Sequence, residues 1–296
     1  MSLNRSKKPK MLDVDDEPDK LDLLYRTFRR NFNVFKADSG VRALEVLATE
    51  GEVAVIISDQ RMPEMKGTEF LSKTVPQFPN TVRIILTGFT DIEDLVDAIN
   101  SGQVYKYITK PWDPTELKEV VQQAADTYEV LNQRTAELQR SRSQTQLLST
   151  LMEIAQSQAN VAAALDSIVK AVGGAVETDG CVLQKVENDT LVDPQAIHST
   201  ALQNQLANDS LAQTALSSKS LQVCWDIAQD KSLAEAEPYK SSGVLAHICV
   251  PVIYQQQIIA LLSTQWKRAH PLEPEDTDTI ELAAQAAALV LHCLGF

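Results

Sequence analysis

Between residues 10 and 114, short apolar runs alternate with stretches whose apolar side chains recur every three or four positions. The runs 9–14 (PKMLDV), 33–38 (NVFKAD), 53–59 (VAVIISD), 81–88 (TVRIILTG) and 104–110 (VYKYITK) predict strands. The intervening stretches 17–31, 40–50, 67–75 and 91–100 predict helices, the first carrying Leu21, Leu24, Tyr25 and Phe28 at helical spacing behind Pro18. Five short apolar strands separated by helices imply an α/β arrangement, a parallel sheet covered on both faces.

From 113 to 159 the pattern is helical throughout, with neither glycine nor proline after Pro114. Val121, Ala124, Tyr128, Leu131, Thr135, Leu138, Arg142 and Thr145 follow alternating steps of three and four, a thin heptad that predicts a parallel coiled-coil contact between two copies. Beyond it, 161–176 reads as a helix, 179–188 and 190–197 as an antiparallel pair turning at Asn188-Asp189, and 202–216 as a helix. The runs 221–227, 245–254 and 258–266 read as strands, the last two joined by the polar turn at 255–257. A closing helix over 273–294 carries acids in its first turn, where the helix dipole favours them. Strands flanked by helices make this second segment an α+β domain around an antiparallel sheet.

In a parallel sheet, chemistry gathers at the carboxyl ends of the strands. The first predicted strand there delivers Asp15 and Asp16, the third Asp59, the fourth Thr87 and the fifth Lys110. Three neighbouring carboxylates resist joint ionisation unless a cation sits among them. Hard oxygen donors with few protein ligands suit Mg²⁺, which retains waters and reaches for a phosphate oxygen. A carboxylate nucleophile, a hydroxyl and an ammonium beside such an ion are the requirements of in-line phosphoryl transfer.

Composition narrows the field. A net charge of −13 on 296 residues argues against general affinity for nucleic acid or anionic membranes, which need basic surfaces. The basic start (Arg5, Lys7, Lys8, Lys10) reads as a solvated, flexible terminus over 1–9. Cys181, Cys224, Cys249 and Cys293 are widely spaced and form no CxxC pair, so reduced thiols are expected. No apolar run approaches the roughly 20 residues of a membrane span, and no apolar leader opens the chain. A cytoplasmic protein is the expectation.

The motifs VDDEP, SDQRMPEMKG, ILTGFTD and YKYITKPWDP resemble those of the receiver domain of two-component response regulators, over about 10–125. The resemblance implies a flavodoxin-like fold with Asp59 as phosphoacceptor. It implies that Asp15, Asp16, Asp59 and the backbone carbonyl of Arg61 hold Mg²⁺, and that Thr87 and Lys110 bind the phosphoryl group. Tyr107 takes the place of the aromatic switch residue that turns inward when Thr87 moves, and the Lys110-Pro111 bond is expected to be cis. Asp13 departs from the family, which has an apolar residue there. Either it faces a partner, or it adds negative charge near the metal; alone it would be costly.

The segments HICVPVIYQQQIIALLSTQW and PLEPEDTDTIELAAQAAALVL resemble a GAF domain, a sensory and dimerisation module. The turn after VIY lacks glycine, and Ala260 stands where glycine is frequent. Cys224, and Cys249 near His247, invite the idea of bilin attachment, but the Cys-His dipeptide of phytochromes and a DxCF motif are absent. The cysteines therefore read as core residues, and Trp225 and Trp266 as core anchors.

The expected organisation is a receiver domain over 10–125, a helical, coiled-coil-like linker over 126–158, and a GAF-like domain over 159–296. The expected function is that of a response regulator without a catalytic output domain. A sensor histidine kinase or phosphotransfer protein phosphorylates it with Mg²⁺, and the signal passes through the linker to the GAF-like domain, which mediates homodimerisation or binding of a downstream protein. Alternatives are the regulatory portion of a cyclic-di-nucleotide signalling enzyme, or a sensor whose GAF-like domain binds a cyclic nucleotide.

Overall fold

The computed structural model describes residues 8–88, 104–157, 160–199, 204–268 and 274–296, in two compact units, Met1–Leu138 and Gln139–Phe296. The expected helix over 91–100, the terminus 1–7 and the first residues of the expected helix over 202–216 lie outside the described residues.

In the first unit, strands β1 (Lys10–Val14), β2 (Asn33–Ala37), β3 (Val55–Asp59), β4 (Val82–Thr87) and β5 (Lys106–Thr109) form one sheet in the order β2-β1-β3-β4-β5. Every pairing is parallel. Helices α1 (Pro18–Phe28), α2 (Gly40–Glu50) and α3 (Gly67–Thr74) connect the strands. Their limits follow from local chemistry: Pro18 opens α1, and the Ser39 hydroxyl accepts the Arg42 N–H to start α2. Gly51, at φ 75°, ends α2.

Strand residues alternate between two cores, as a period of two requires. Met11, Val55, Ile57, Ile84 and Leu86 pack with α1 and the long helix Pro114–Gln156, while Leu12, Val14, Ile56 and Ile85 pack with α2 and α3. Helix α1 buries Leu21, Leu24 and Phe28, but Tyr25 is exposed, against the sequence expectation. Its position falls one step off the stripe, and its ring lies under the Lys36 ammonium instead.

The long helix is started by Asp113, whose carboxylate accepts the N–H groups of Thr115 and Glu116. In the first unit its Leu117, Val120, Val121, Ala124 and Ala125 are buried against the sheet. Val121 and Ala124, read as the start of a heptad, are thus spent on the unit's own core, whereas Leu138 is 62% exposed. Two turns past that core, the Asn80 amide donates to Asn132 Oδ1 (2.8 Å) and Thr135 Oγ1 (3.2 Å).

In the second unit the antiparallel sheet runs β7-β6-β10-β9-β8, from β6 (Gly180–Glu187), β7 (Thr190–Ser199), β8 (Gln222–Cys224), β9 (Ala246–Tyr254) and β10 (Gln257–Trp266). Helices Val161–Ala175 and Pro274–Cys293, with Leu147, Leu151 and Ile154 of the long helix, complete its main core around Trp266. Both hairpins turn through paired left-handed residues, Asn188-Asp189 (φ 50° and 57°) and Gln255-Gln256 (φ 45° and 68°), matching the twist of the flanking strands without glycine.

Two expectations need correction here. The run 221–227 forms only the three-residue β8, and Trp225 beyond it is 40% exposed, so it is no core anchor. The expected helix over 202–216 is broken at Asp209, which ends a short 3₁₀ turn and caps the helix Ser210–Ser218 by accepting the Leu211 N–H. Cys181 and Cys249 are buried as expected, Cys224 is half-buried and Cys293 exposed.

Candidate functional site

Four strand ends of the first unit meet at one rim. Asp15 follows β1, Asp59 is the last residue of β3, Thr87 the last of β4, and Lys110 follows β5. One carboxylate oxygen from each of Asp15, Asp16 and Asp59 lies within 4.8 Å of the others. The Lys110 ammonium bridges two of them, 3.2 Å from Asp15 Oδ2 and 3.0 Å from Asp59 Oδ1. Asp15 and Asp59 are buried, and Asp16 is exposed.

The electrostatics are unbalanced. Burial pushes the Asp15 carboxyl above its ordinary range; the Glu17 N–H and the Lys110 charge oppose this, and the Asp59 charge adds to it. Three acids meet one bridging ammonium, and the nearby Lys20, which also feels Asp15, is itself paired with Glu17, so the acids stay in excess and a further positive charge is accommodated. The donors are all hard carboxylate oxygens, with one exposed edge at Asp16, and this set fits a hard divalent cation better than a soft metal.

The loop after Asp59 is tightly held. The Gln60 N–H donates to Asp59 Oδ1 (2.8 Å), the Ser58 hydroxyl donates to the Asp59 carbonyl (2.9 Å), and the Gly67 N–H donates to the Gln60 carbonyl (3.1 Å). The chain returns so closely at Gly67 that a Cβ there would stand 2.2 Å from the Asp59 carbonyl oxygen. The Lys110-Pro111 bond is cis.

Of the residues expected at the site, Asp15, Asp16, Asp59 and Lys110 come together. The Thr87 hydroxyl, at the same rim, donates to the Gly88 carbonyl (3.1 Å). Tyr107 lies on β5 opposite Ile85, 37% exposed and outside the cluster. Arg61 is exposed, two residues after Asp59. Asp13 is fully buried, and neither of its carboxylate oxygens has a hydrogen-bond partner among the described residues, so the first of the two expectations for it, a facing partner, is not met there. Burial holds its carboxyl well above the usual range, opposed only by Lys36, its register neighbour on β2. The sequence reading missed Gln60, a polar side chain 98% shielded beside the acids; its signal was an amide placed where the β3 run ends.

The second unit holds a buried polar network of its own. Tyr239 donates its hydroxyl hydrogen to Asp209 (2.8 Å to Oδ1), and His247 Nδ1 lies 2.9 Å from the Tyr239 oxygen and 3.2 Å from Asp209 Oδ2. On the other side of the ring, Ser263 Oγ stands 2.8 Å and Cys249 Sγ 3.2 Å from Nε2. Burial alone would raise the Asp209 carboxyl, but the hydrogen bond and charge of His247, with Tyr239 and the Leu211 N–H, outweigh it and hold the group below its ordinary range. A depressed carboxyl stabilises the fold above its unfolded value, about 3.9, and that contribution is lost as pH falls through the folded value. Acidification from pH 5 to 3 is therefore expected to lower the melting temperature of the second unit more steeply in the wild type than in Asp209→Asn, as followed by circular dichroism. Parallel curves would count against an ionised Asp209.

The family model for the response regulator receiver domain matches residues 11–122, and that for the GAF domain matches 160–291. A chemotaxis protein CheY homolog of Campylobacter jejuni is 31% identical over 122 residues, covering 40% of this chain and 93% of that protein. The chain belongs to the response regulator receiver family, with a receiver domain followed by a GAF domain. The hydrogenase transcriptional regulatory protein HoxA of Cupriavidus necator is 40% identical over 120 residues, and the transcriptional regulatory protein GlrR of Escherichia coli 37% over 117. These cover 40% and 39% of this chain, which spans about a quarter of their length (25% and 26%). Among solved structures, the receiver domain of an HD domain-containing protein from Pseudomonas fluorescens is similar at 34% identity, covering 42% of this chain and 99% of that one, with a TM-score of 0.40. No helix among the described residues is long and apolar enough to cross a membrane.

Proposed function

We propose that the chain is the phosphoacceptor of a two-component relay, taking a phosphoryl group onto Asp59 from a histidine kinase or phosphotransfer protein. The observation that carries this reading is the convergence of three carboxylates within 4.8 Å, with Lys110 bridging Asp15 and Asp59. An Asp59 oxygen attacks phosphorus, the P–O bond forming as the P–N bond to the donor histidine breaks. Lys110, already paired with Asp59, follows the charge onto the phosphoryl oxygens, and the Thr87 hydroxyl turns from the Gly88 carbonyl to donate to one of them. Asp15, Asp16, Asp59 and the Arg61 carbonyl would hold Mg²⁺, which when bound supplies the positive charge that lets anionic donor and acceptor approach. Tyr107 then packs inward, altering the surface that partners meet.

The test is incubation with acetyl phosphate and Mg²⁺, read by intact mass. One added phosphoryl group is expected on the wild type and none on Asp59→Asn. Equal uptake by the variant would remove Asp59 from the role.

The output we assign is protein contact through the long helix and the GAF domain, in a homodimer. Exposed Val130 and Leu138 on that helix support it. Light scattering of the full chain is expected to give twice the chain mass at micromolar concentration, and Leu138→Lys to lower it. A monomer in the wild type would refute the pairing.

A further inference from the structure

Helix α3 begins without a cap of its own. Its N-cap residue is Lys66, whose side chain makes no capping hydrogen bond, so the first N–H groups of the helix need another acceptor. One is supplied from outside the helix. Gln60 Oε1 accepts the Thr68 N–H (3.1 Å), and Gln60 Nε2 donates to Thr68 Oγ1 (3.4 Å). The main chain of the same residue donates to Asp59 Oδ1 and to the Leu86 carbonyl, and accepts from Gly67.

One buried residue therefore fastens four things: the acceptor carboxylate, strand β4, the returning glycine and the start of α3. The next residue is Arg61, whose carbonyl the proposed function assigns to the cation. A ligand carbonyl in a loop is only as well placed as the loop's anchors, and partners that orient a ligand commonly change metal affinity by about 10- to 100-fold when removed.

We infer that Gln60 is a positioning residue for the cation at the acidic cluster, acting by tying the Asp59–Arg61 segment to the N-terminus of α3. This rests on the proposed function. An ordinary cap would serve α3 as well if helix stability were the whole role. Lys66 has the extended backbone of an N-cap (φ −66°, ψ 152°), where serine would cap the helix directly. The side chain of Gln60 reaches past it, so the cap and the acceptor loop are coupled.

Two quantities separate the roles, both measured on unphosphorylated full-length protein. One is the melting temperature without Mg²⁺. The other is the Mg²⁺ concentration giving half of the Mg²⁺-induced rise in melting temperature. Gln60→Met, of nearly equal shape, is expected to melt lower and to need about tenfold more Mg²⁺. Adding Lys66→Ser is expected to restore the melting temperature and leave the Mg²⁺ requirement raised. If Gln60→Met keeps the wild-type Mg²⁺ dependence, or if Lys66→Ser restores both quantities, Gln60 is only a cap and the inference falls. A wild type that ignores Mg²⁺, as an Asp15→Ala control must, would instead overturn the proposed function itself.

Discussion

Gly67→Ala is expected to cut phosphoryl uptake at least about a hundredfold and to destabilise the first unit by about 3 kcal/mol. The new Cβ would lie 2.2 Å from the Asp59 carbonyl oxygen, and 3.0 Å from both the Asp59 carbonyl carbon and Ser58 Oγ. Backbone atoms cannot rotate away as a flexible side chain can. The loop must move, and it carries the Gly67 N–H that holds the Gln60 carbonyl. Displacing the acceptor oxygen by about an ångström is enough for a hundredfold loss, because in-line attack tolerates little misalignment. Gly174→Ala, where an added Cβ meets nothing within 4 Å, serves as control. Intact-mass time courses and thermal melts read both effects; uptake at the wild-type rate would show that Asp59 does not depend on this close return.

Asp13→Val is expected to act in the opposite direction, stabilising the first unit by about 1–3 kcal/mol, the cost of a buried polar group left unpaired. Asp13 is fully shielded, and both its oxygens lack partners among the described residues. Its strand face is that of Met11, within the core made with α1 and the long helix. Valine is similar in size and β-branched, and so suits an inner strand. Asp13→Asn, which keeps an unpaired polar head, should give little gain. Thermal and urea unfolding would decide the matter: a valine variant less stable than the wild type would mean that the carboxyl is satisfied by a group outside the described residues.

Much of this architecture was legible because burial writes itself as period. Strands over 10–14, 55–59 and 82–87 were readable as apolar runs, and an acid or hydroxyl at the end of each marked the rim. The Asp15, Asp16, Asp59 and Lys110 cluster followed from topology, since parallel strands present their carboxyl ends together. What stayed hidden depended on side chains meeting across distance. Asp209 looks like one more polar residue in a helical stretch; its cap on Leu211 is local, but only the arrival of Tyr239 and His247 from other elements explains why it is buried. Trp225 shows the converse, since an aromatic in an apolar run ends at the surface when β8 stops at Cys224. Gln60 carried no periodic signal at all, its role being set by a backbone that doubles back seven residues later.

The amide of Asn80 has a mechanical consequence. The long helix is pinned at its origin by Asp113, gripped along Leu117–Ala125 by the sheet, and tied again at Asn132 and Thr135. About six turns of helix are thereby made part of the first unit's rigid frame. That stretch therefore behaves as a stiff rod fixed to the first unit at three levels, and bending within it would have to break Asn80's hold or the packing of Leu117–Ala125 first.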